Sequence, residues 1–227
     1  MILKQPPGLS KLVAMLKLLP NILTFIRLGL SIVFLLMILY SPGVDHRSLF
    51  LDGAFVLFVV AGLTDIVDGF VARRFDATSK FGRMVDPLAD KVLVCGAFIC
   101  FAVIGEPKLF GLPGVALAFI HWFVVGVLVF REAYVTILRH IAEAKGINFA
   151  ATASGKLKML TQSFAIGTVL IKMAHAPTAA WAYWFTTVAF AVMVVVTAIS
   201  GVLATRRPSW RQFKAEGKPH EPSTISA

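Results

Sequence analysis

Charge is scarce in this chain: only 15% of its 227 residues are Asp, Glu, Lys or Arg, while 58% are hydrophobic. A water-soluble domain carries roughly a quarter charged residues, so this composition excludes water as the main solvent. Acids are the scarcer sign, 12 against 22 Lys and Arg, and the formal net charge is +10. Cysteine is nearly absent. Cys95 and Cys100 fall in one apolar run at a spacing that puts them on different helix faces, which argues against a disulfide; no histidine lies near enough in sequence to suggest zinc. There is no internal repeat and no low-complexity tract. The first twenty residues lack the unbroken apolar run and small-residue cleavage site of a signal peptide, because Lys11 and Lys17 interrupt them.

What is present is a series of long apolar segments, at about 21–40, 50–72, 87–105, 112–130, 157–175 and 180–204. Each is near the length that crosses hydrocarbon, so the expected fold class is an all-α integral membrane protein of six transmembrane helices. The breaks carry turn formers: Ser41-Pro42-Gly43, then Gly105, Pro107, Gly111 and Pro113, then Pro177. Leu12, Val13, Leu16 and Leu19 recur at helical spacing beside Lys11 and Lys17. Residues 1–20 are therefore expected to form an amphipathic juxtamembrane helix on the cytoplasmic surface, with the chain entering the bilayer after Pro20. Residues 21–205 form the six-helix domain, and 206–227, with Pro208, Pro219 and Pro222, a flexible cytoplasmic tail.

With six spans, one side holds only Arg47, Lys108 and Lys172 of the 22 basic residues. The positive-inside rule then places both termini and the basic loops in the cytoplasm, at the inner membrane. It accounts for most of the net charge without nucleic acid as a partner. His121 and His175 read as structural or interfacial groups, and Trp122, Trp181, Tyr183 and Trp184 as an aromatic belt.

The scarce acids are not scattered. Asp65 and Asp68 sit three apart near the end of the second segment, and Gly82, Asp86 and Asp90 follow at intervals of four at the start of the third. Each set lies on one helix face, and a short connection makes the two helices antiparallel neighbours. Gly69 and Gly82 leave space between the stripes. A carboxylate at a helix centre costs about 2.5–3.5 kcal/mol on insertion scales, and mutual repulsion adds to this. Asp86 before Pro87 would by itself fit a helix N-cap. Four acids on two facing stripes fit better with divalent cations, which prefer oxygen ligands and pair with substrate phosphates.

The stretch from Asp65 to Asp90 reads D-x2-D-G-x2-A-R-x8-G-x3-D-x3-D. It resembles the CDP-alcohol phosphotransferase family at all eight fixed positions of that family's signature. The resemblance implies a polar cavity facing the cytoplasm, two divalent metal ions (Mg2+ or Mn2+), and a homodimer. It puts Asp65, Asp68, Asp86 and Asp90 on the metal-binding positions, with Asp90 also the general base. It puts Gly69, Arg73, Ser79 and Gly82 beside the CDP-lipid, and Asn21 and Thr24, within Pro20-Asn21-Ile22-Leu23-Thr24, near the nucleotide. Asp86 to Lys91, Arg131-Glu132, Leu138-Arg139 and Gly155-Lys156-Leu157-Lys158 are similar to the phosphatidylglycerophosphate synthase branch, over about residues 20–170.

The acceptor is legible from chemistry. Arg131 and Arg139, eight apart on one helix face, and Lys156 and Lys158 on the same membrane side suit a phosphorylated alcohol such as glycerol 3-phosphate. The same residues also serve as positive-inside anchors, and Glu132 pairs naturally with Arg131. The expected function is transfer of a phosphatidyl group from CDP-diacylglycerol to glycerol 3-phosphate, within membrane lipids, giving phosphatidylglycerophosphate and CMP. Phosphatidylglycerol or inositol phosphate as acceptor, and a divalent-cation carrier lined by the aspartates, are the alternatives. Clustering of the acids at one face argues against the carrier.

Overall fold

A computed structural model describes residues 7–75, 80–109, 112–144 and 153–206, with side chains described for 22–64 and from 88 onward within those ranges, except 143 and 153. Every described element is helical: α1 Pro7–Tyr40, α2 Arg47–Phe75, α3 Lys80–Ile104, α4 Gly114–Ala144, α5 Ala153–His175 and α6 Ala180–Thr205, with a 3-10 turn at Ser41–Gly43. The expected breaks are therefore real. Gly105 ends α3 in the left-handed region at φ 70°, where its N–H and that of Glu106 turn back to Ala102 and Phe101, a closure that favours glycine.

One boundary differs from expectation. Pro20 does not divide the first helix, which runs unbroken from Pro7 to Tyr40; a proline removes one backbone hydrogen bond, and neighbouring turns can carry the helix past it. Helix α4 continues to Ala144, past the end of its apolar run, and carries Arg131 and Arg139 on one helix, as their spacing implies.

Four stretches among the described residues are long and apolar enough to cross a membrane: Ile22–Gly43, Arg47–Thr64, Gly114–Ala142 and Ala180–Thr205. Helix α5 carries Lys156, Lys158 and Lys172, which lower its hydropathy, and it packs on α2 and α6. Helix α3 packs on α1 and α4. The surface is inverted relative to a soluble protein. Val115, Phe119, Phe130 and Leu160 point outward, while Arg27, Gln162 and Lys158 are buried. Only an apolar solvent makes that arrangement favourable, so this is a membrane protein.

The core runs along the bundle axis. Phe34 of α1 packs against Phe58 of α2 in a tilted pair at 5.3 Å, and Phe98 of α3 meets Phe190 of α6 edge to face at 5.6 Å. Leu51, Leu128, Ile166, Val169, Leu170 and Met193 fill the space between. Gly96 lets Leu35 of α1 lie directly against α3, since a Cβ there would fall 2.7 Å from Leu35 Cδ1. With lipid outside as apolar as the core, close packing of this kind holds the helices together.

Alternating helix directions give the bundle two ends. At one lie Arg47, Lys108 and Lys172, tied into the helix connections: Arg47 pairs with Glu106 at 3.7 Å and Lys172 donates to the Lys108 carbonyl at 3.0 Å. His121 is buried with Nε2 3.1 Å from the Pro107 carbonyl, and His175 meets Asp52 at 2.8 Å. Both histidines thus hold connections. Cys95 and Cys100 are free thiols. The other end carries the end of α2 and the start of α3, and there the interior turns polar.

Candidate active site

Helix periodicity builds the polar end. On α1 the buried positions Thr24, Arg27, Ser31, Phe34 and Ile38 form one stripe; its first three members are polar and the rest apolar. On α6 the buried stripe Ala182, Thr186, Phe190, Met193, Thr197, Ser200 and Ala204 brings two hydroxyls, Thr197 and Ser200, to the same end. The small hydroxyls satisfy themselves along their own helices: Ser31 donates to the Arg27 carbonyl and Ser200 to the Thr197 carbonyl, each at 2.8 Å. That keeps them inexpensive in an apolar surround. On α5, Lys158 and Gln162 lie one turn apart and are both buried.

These helices meet around Glu132. Its Oε1 accepts from Arg131 Nη1 at 3.0 Å and from Lys158 Nζ of α5. Arg131 Nε also donates to Ser200 Oγ of α6 at 3.1 Å. A Cβ on Gly201 would sit 3.3 Å from Arg131 Cγ, so the glycine makes room for the arginine stem. The side chains of Arg131, Glu132 and Lys158 are only 11%, 14% and 6% exposed. Water screens such a cluster poorly, so the attraction between its members is strong.

Helix α3 completes the site. Lys91 Nζ donates to Thr136 Oγ1 at 2.6 Å, and Thr136 Oγ1 in turn donates to the Glu132 carbonyl. Cys95, just over a turn beyond Asp90, lies within electrostatic reach of Glu132, Lys158, Asp90 and Lys91. The end of α3 that carries Asp90 therefore faces the cations of α4 and α5. Beside it a groove of about 570 Å³ opens between α3 and α4. Lys91, Glu132 and Thr136 mark its polar end, and Leu35, Ile99 and Val129 line its apolar walls.

The residues singled out in the sequence fall as follows. Asp65, Asp68, Gly69 and Arg73 lie on the last turns of α2, and Gly82 and Asp86 on the first turns of α3; their surroundings lie outside the described side chains, as does that of Asn21 on α1. Ser79 lies outside the described residues. Asp90 is half-buried and Thr24 buried. Of the four basic residues, Arg131 and Lys158 are brought together, while Arg139 and Lys156 are exposed. Sequence reasoning paired Glu132 with Arg131 but missed its bond to Lys158, and missed Thr136, Ser200 and Gln162 altogether. The available signal was an acid, Glu132, just after an apolar run, which requires a partner.

The donor set suits a metal in its chemistry. Four carboxylates, two on each helix flanking the 76–79 connection, are hard oxygen donors of the kind that Mg2+ and Mn2+ prefer.

Comparison with known proteins bears on the class. The family described as CDP-alcohol phosphatidyltransferase matches residues 17–206. A Mycobacterium tuberculosis protein named "Probable phosphatidylglycerophosphate synthase" is 34% identical over 184 residues, covering 81% of this chain and 78% of the relative. A Bacillus subtilis protein named CDP-diacylglycerol–glycerol-3-phosphate 3-phosphatidyltransferase is also 34% identical, over 191 residues, 81% of this chain and 91% of its own. A Schizosaccharomyces pombe fusion protein named for cardiolipin synthase is 41% identical over 87 residues, 37% of this chain and 13% of its own. The chain belongs to the CDP-alcohol phosphatidyltransferase family. It is an enzyme of phospholipid biosynthesis in a membrane, and the carrier reading gives way to that membership.

Proposed function

We propose that this enzyme transfers the phosphatidyl group of CDP-diacylglycerol to glycerol 3-phosphate, releasing CMP and phosphatidylglycerophosphate. The observation that carries the acceptor assignment is the convergence of buried Lys158 and part-buried Arg131 at the end of the bundle that also holds Asp90. A phosphate monoester suits two such cations, and guanidinium offers it paired N–H donors. Much of the relatives' length, under names specifying this acceptor, supports the same reading.

Asp65, Asp68, Asp86 and Asp90 would hold two divalent ions, Mg2+ or Mn2+, whose chemistry is to neutralise the diphosphate and its developing charge. Arg73 pairs with the diphosphate, Gly69, Ser79 and Gly82 border the CDP headgroup, and Asn21 and Thr24 border the nucleotide. Arg131 and Lys158 hold the acceptor's phosphate, with Arg139 and Lys156 extending the positive field toward solvent. Asp90 takes the proton of the acceptor hydroxyl as its oxygen attacks the phosphorus bearing diacylglycerol. The new P–O bond forms, the bond to the CMP phosphate oxygen breaks, and CMP leaves. The groove between α3 and α4 offers an apolar surface for a lipid chain beside Asp90.

The same proposal sets the protein in its membrane. All six helices span it, since α3 and α5, at 25 and 23 residues, match the bilayer in length and pack among the four most apolar helices. Three basic residues at one end against nineteen elsewhere put the site and both termini on the cytoplasmic face of the inner membrane, with residues 7–20 at its surface. Assembly as a homodimer follows the family resemblance.

The test is purified enzyme in detergent with CDP-diacylglycerol, Mg2+ or Mn2+ and a panel of alcohols, read as CMP release. Glycerol 3-phosphate is expected to support turnover, and phosphatidylglycerol, inositol phosphate and glycerol are not. Turnover with phosphatidylglycerol alone would instead make it a cardiolipin synthase. A second expectation concerns Gly201. Valine there pushes its methyl groups into the Arg131 stem, so KM for glycerol 3-phosphate rises roughly fivefold while KM for CDP-diacylglycerol holds. Equal changes in both constants would disconnect Arg131 from the acceptor.

A further inference from the structure

We infer that Glu132 is a positioning residue that sets the spacing of the acceptor-binding cations, and so is required for recognition of a phosphorylated acceptor. This rests on the proposed glycerol 3-phosphate reaction. Helices α4 and α5 meet mainly through their common neighbour α6, so the cations that each carries need a direct tie to converge. Helix α4 packs on α3 and α6, whereas α5 packs chiefly on α2 and α6. The bond between Glu132 and Lys158 is a polar tie that joins α4 directly to α5.

The geometry shows how one carboxylate does this. A single oxygen, Oε1, accepts from both Arg131 Nη1 and Lys158 Nζ. Arg131 is fixed a second time through Nε on Ser200 and is wedged against Gly201. Lys158 has no other ion pair among the described residues, and its stem is buried. Its long flexible side chain has many rotamers to lose, and the carboxylate selects the one that directs the ammonium at Arg131. Both cations retain N–H donors beyond those that Glu132 uses, and an incoming phosphate finds them already converged. Glu132 also moderates the charge: the trio carries one net positive charge, so two cations can be buried side by side without repelling each other apart.

Preorganisation of this kind acts on acceptor affinity and not on the chemical step. Glu132→Gln preserves shape and a hydrogen-bond acceptor but removes the charge. It is expected to raise KM for glycerol 3-phosphate about tenfold, with kcat and KM for CDP-diacylglycerol changed less than about twofold. In a Lys158→Met background, adding Glu132→Gln is expected to change KM by less than about twofold, because the partner it positions is gone. A structural role alone would not produce that split or that non-additivity. Unchanged acceptor KM in the Gln variant, equal loss for both substrates, or full additivity with Lys158→Met overturns the inference. If the Gln variant does not fold, Glu132→Asp carries the same test: its charge is kept but its reach is shorter, so acceptor KM rises at least about threefold, and an unchanged value is the adverse result. Wild-type CMP release with glycerol 3-phosphate checks the underlying reaction separately; the ratio of variant to wild type checks Glu132.

Discussion

Asparagine at position 86 is expected to leave a folded protein that releases CMP at about a thousandth of the wild-type rate. The substitution keeps the volume of the side chain and one carbonyl oxygen, and removes a single negative charge. Asp86 lies within the first turns of α3, one turn before Asp90, in a set of four acids flanking the 76–79 connection. Without a cation those acids repel one another, so the loss of one charge costs the fold little and can stabilise it. With cations bound, the same loss weakens a hard oxygen ligand just where charge must be neutralised for CMP to depart. The two effects have opposite signs, and the experiment separates them. Thermal unfolding in detergent without metal should shift by no more than a few degrees, while CMP release collapses. Activity above about a tenth of wild type would remove the metal-binding role of this carboxylate.

Methionine at position 158 tests the acceptor site with comparable force. It matches the buried aliphatic stem of Lys158 and deletes the ammonium that meets Glu132. KM for glycerol 3-phosphate should rise about 100-fold, equivalent to about 2.7 kcal/mol of lost binding. KM for CDP-diacylglycerol should remain within about twofold, because its headgroup is assigned to α1, α2 and the start of α3. Stability will fall as well, since Glu132 keeps only Arg131 as counter-ion in a poorly screened setting. Replacing Lys156 in the same way is the internal comparison. Its side chain is exposed, so the effect should be threefold or less, as for a screened surface charge. If the two lysines behaved alike, burial and convergence would not be what defines this site.

These contrasts also show how far a linear reading carries. The six apolar segments were legible because helices in an apolar solvent need long apolar runs; each run corresponds to one helix, and four of the helices are long and apolar enough to cross a membrane. The turns were legible because Ser41-Pro42-Gly43 and Gly105 offer backbone conformations that other residues resist. Pro20 does not interrupt its helix, because one missing N–H is a small loss in a helix as long as α1. Among the basic residues, the four were indistinguishable by spacing: Arg131, Arg139, Lys156 and Lys158 all fall on the side that the charge pattern assigns to the cytoplasm. Their separation into a buried pair and an exposed pair depends on which face of α4 meets α6 and which face of α5 turns inward.

Local order along the chain was therefore sufficient for the membrane class, the helices and the family signature, since insertion cost, helical periodicity and turn chemistry all act between near neighbours. The Glu132 bridge, its anchorage on Ser200 and the clearance at Gly201 required the assembled bundle. Residues 131, 158 and 200 lie on three different helices, and no local pattern encodes the rotation at which those helices meet. Packing sets that rotation, and packing is a property of the whole molecule.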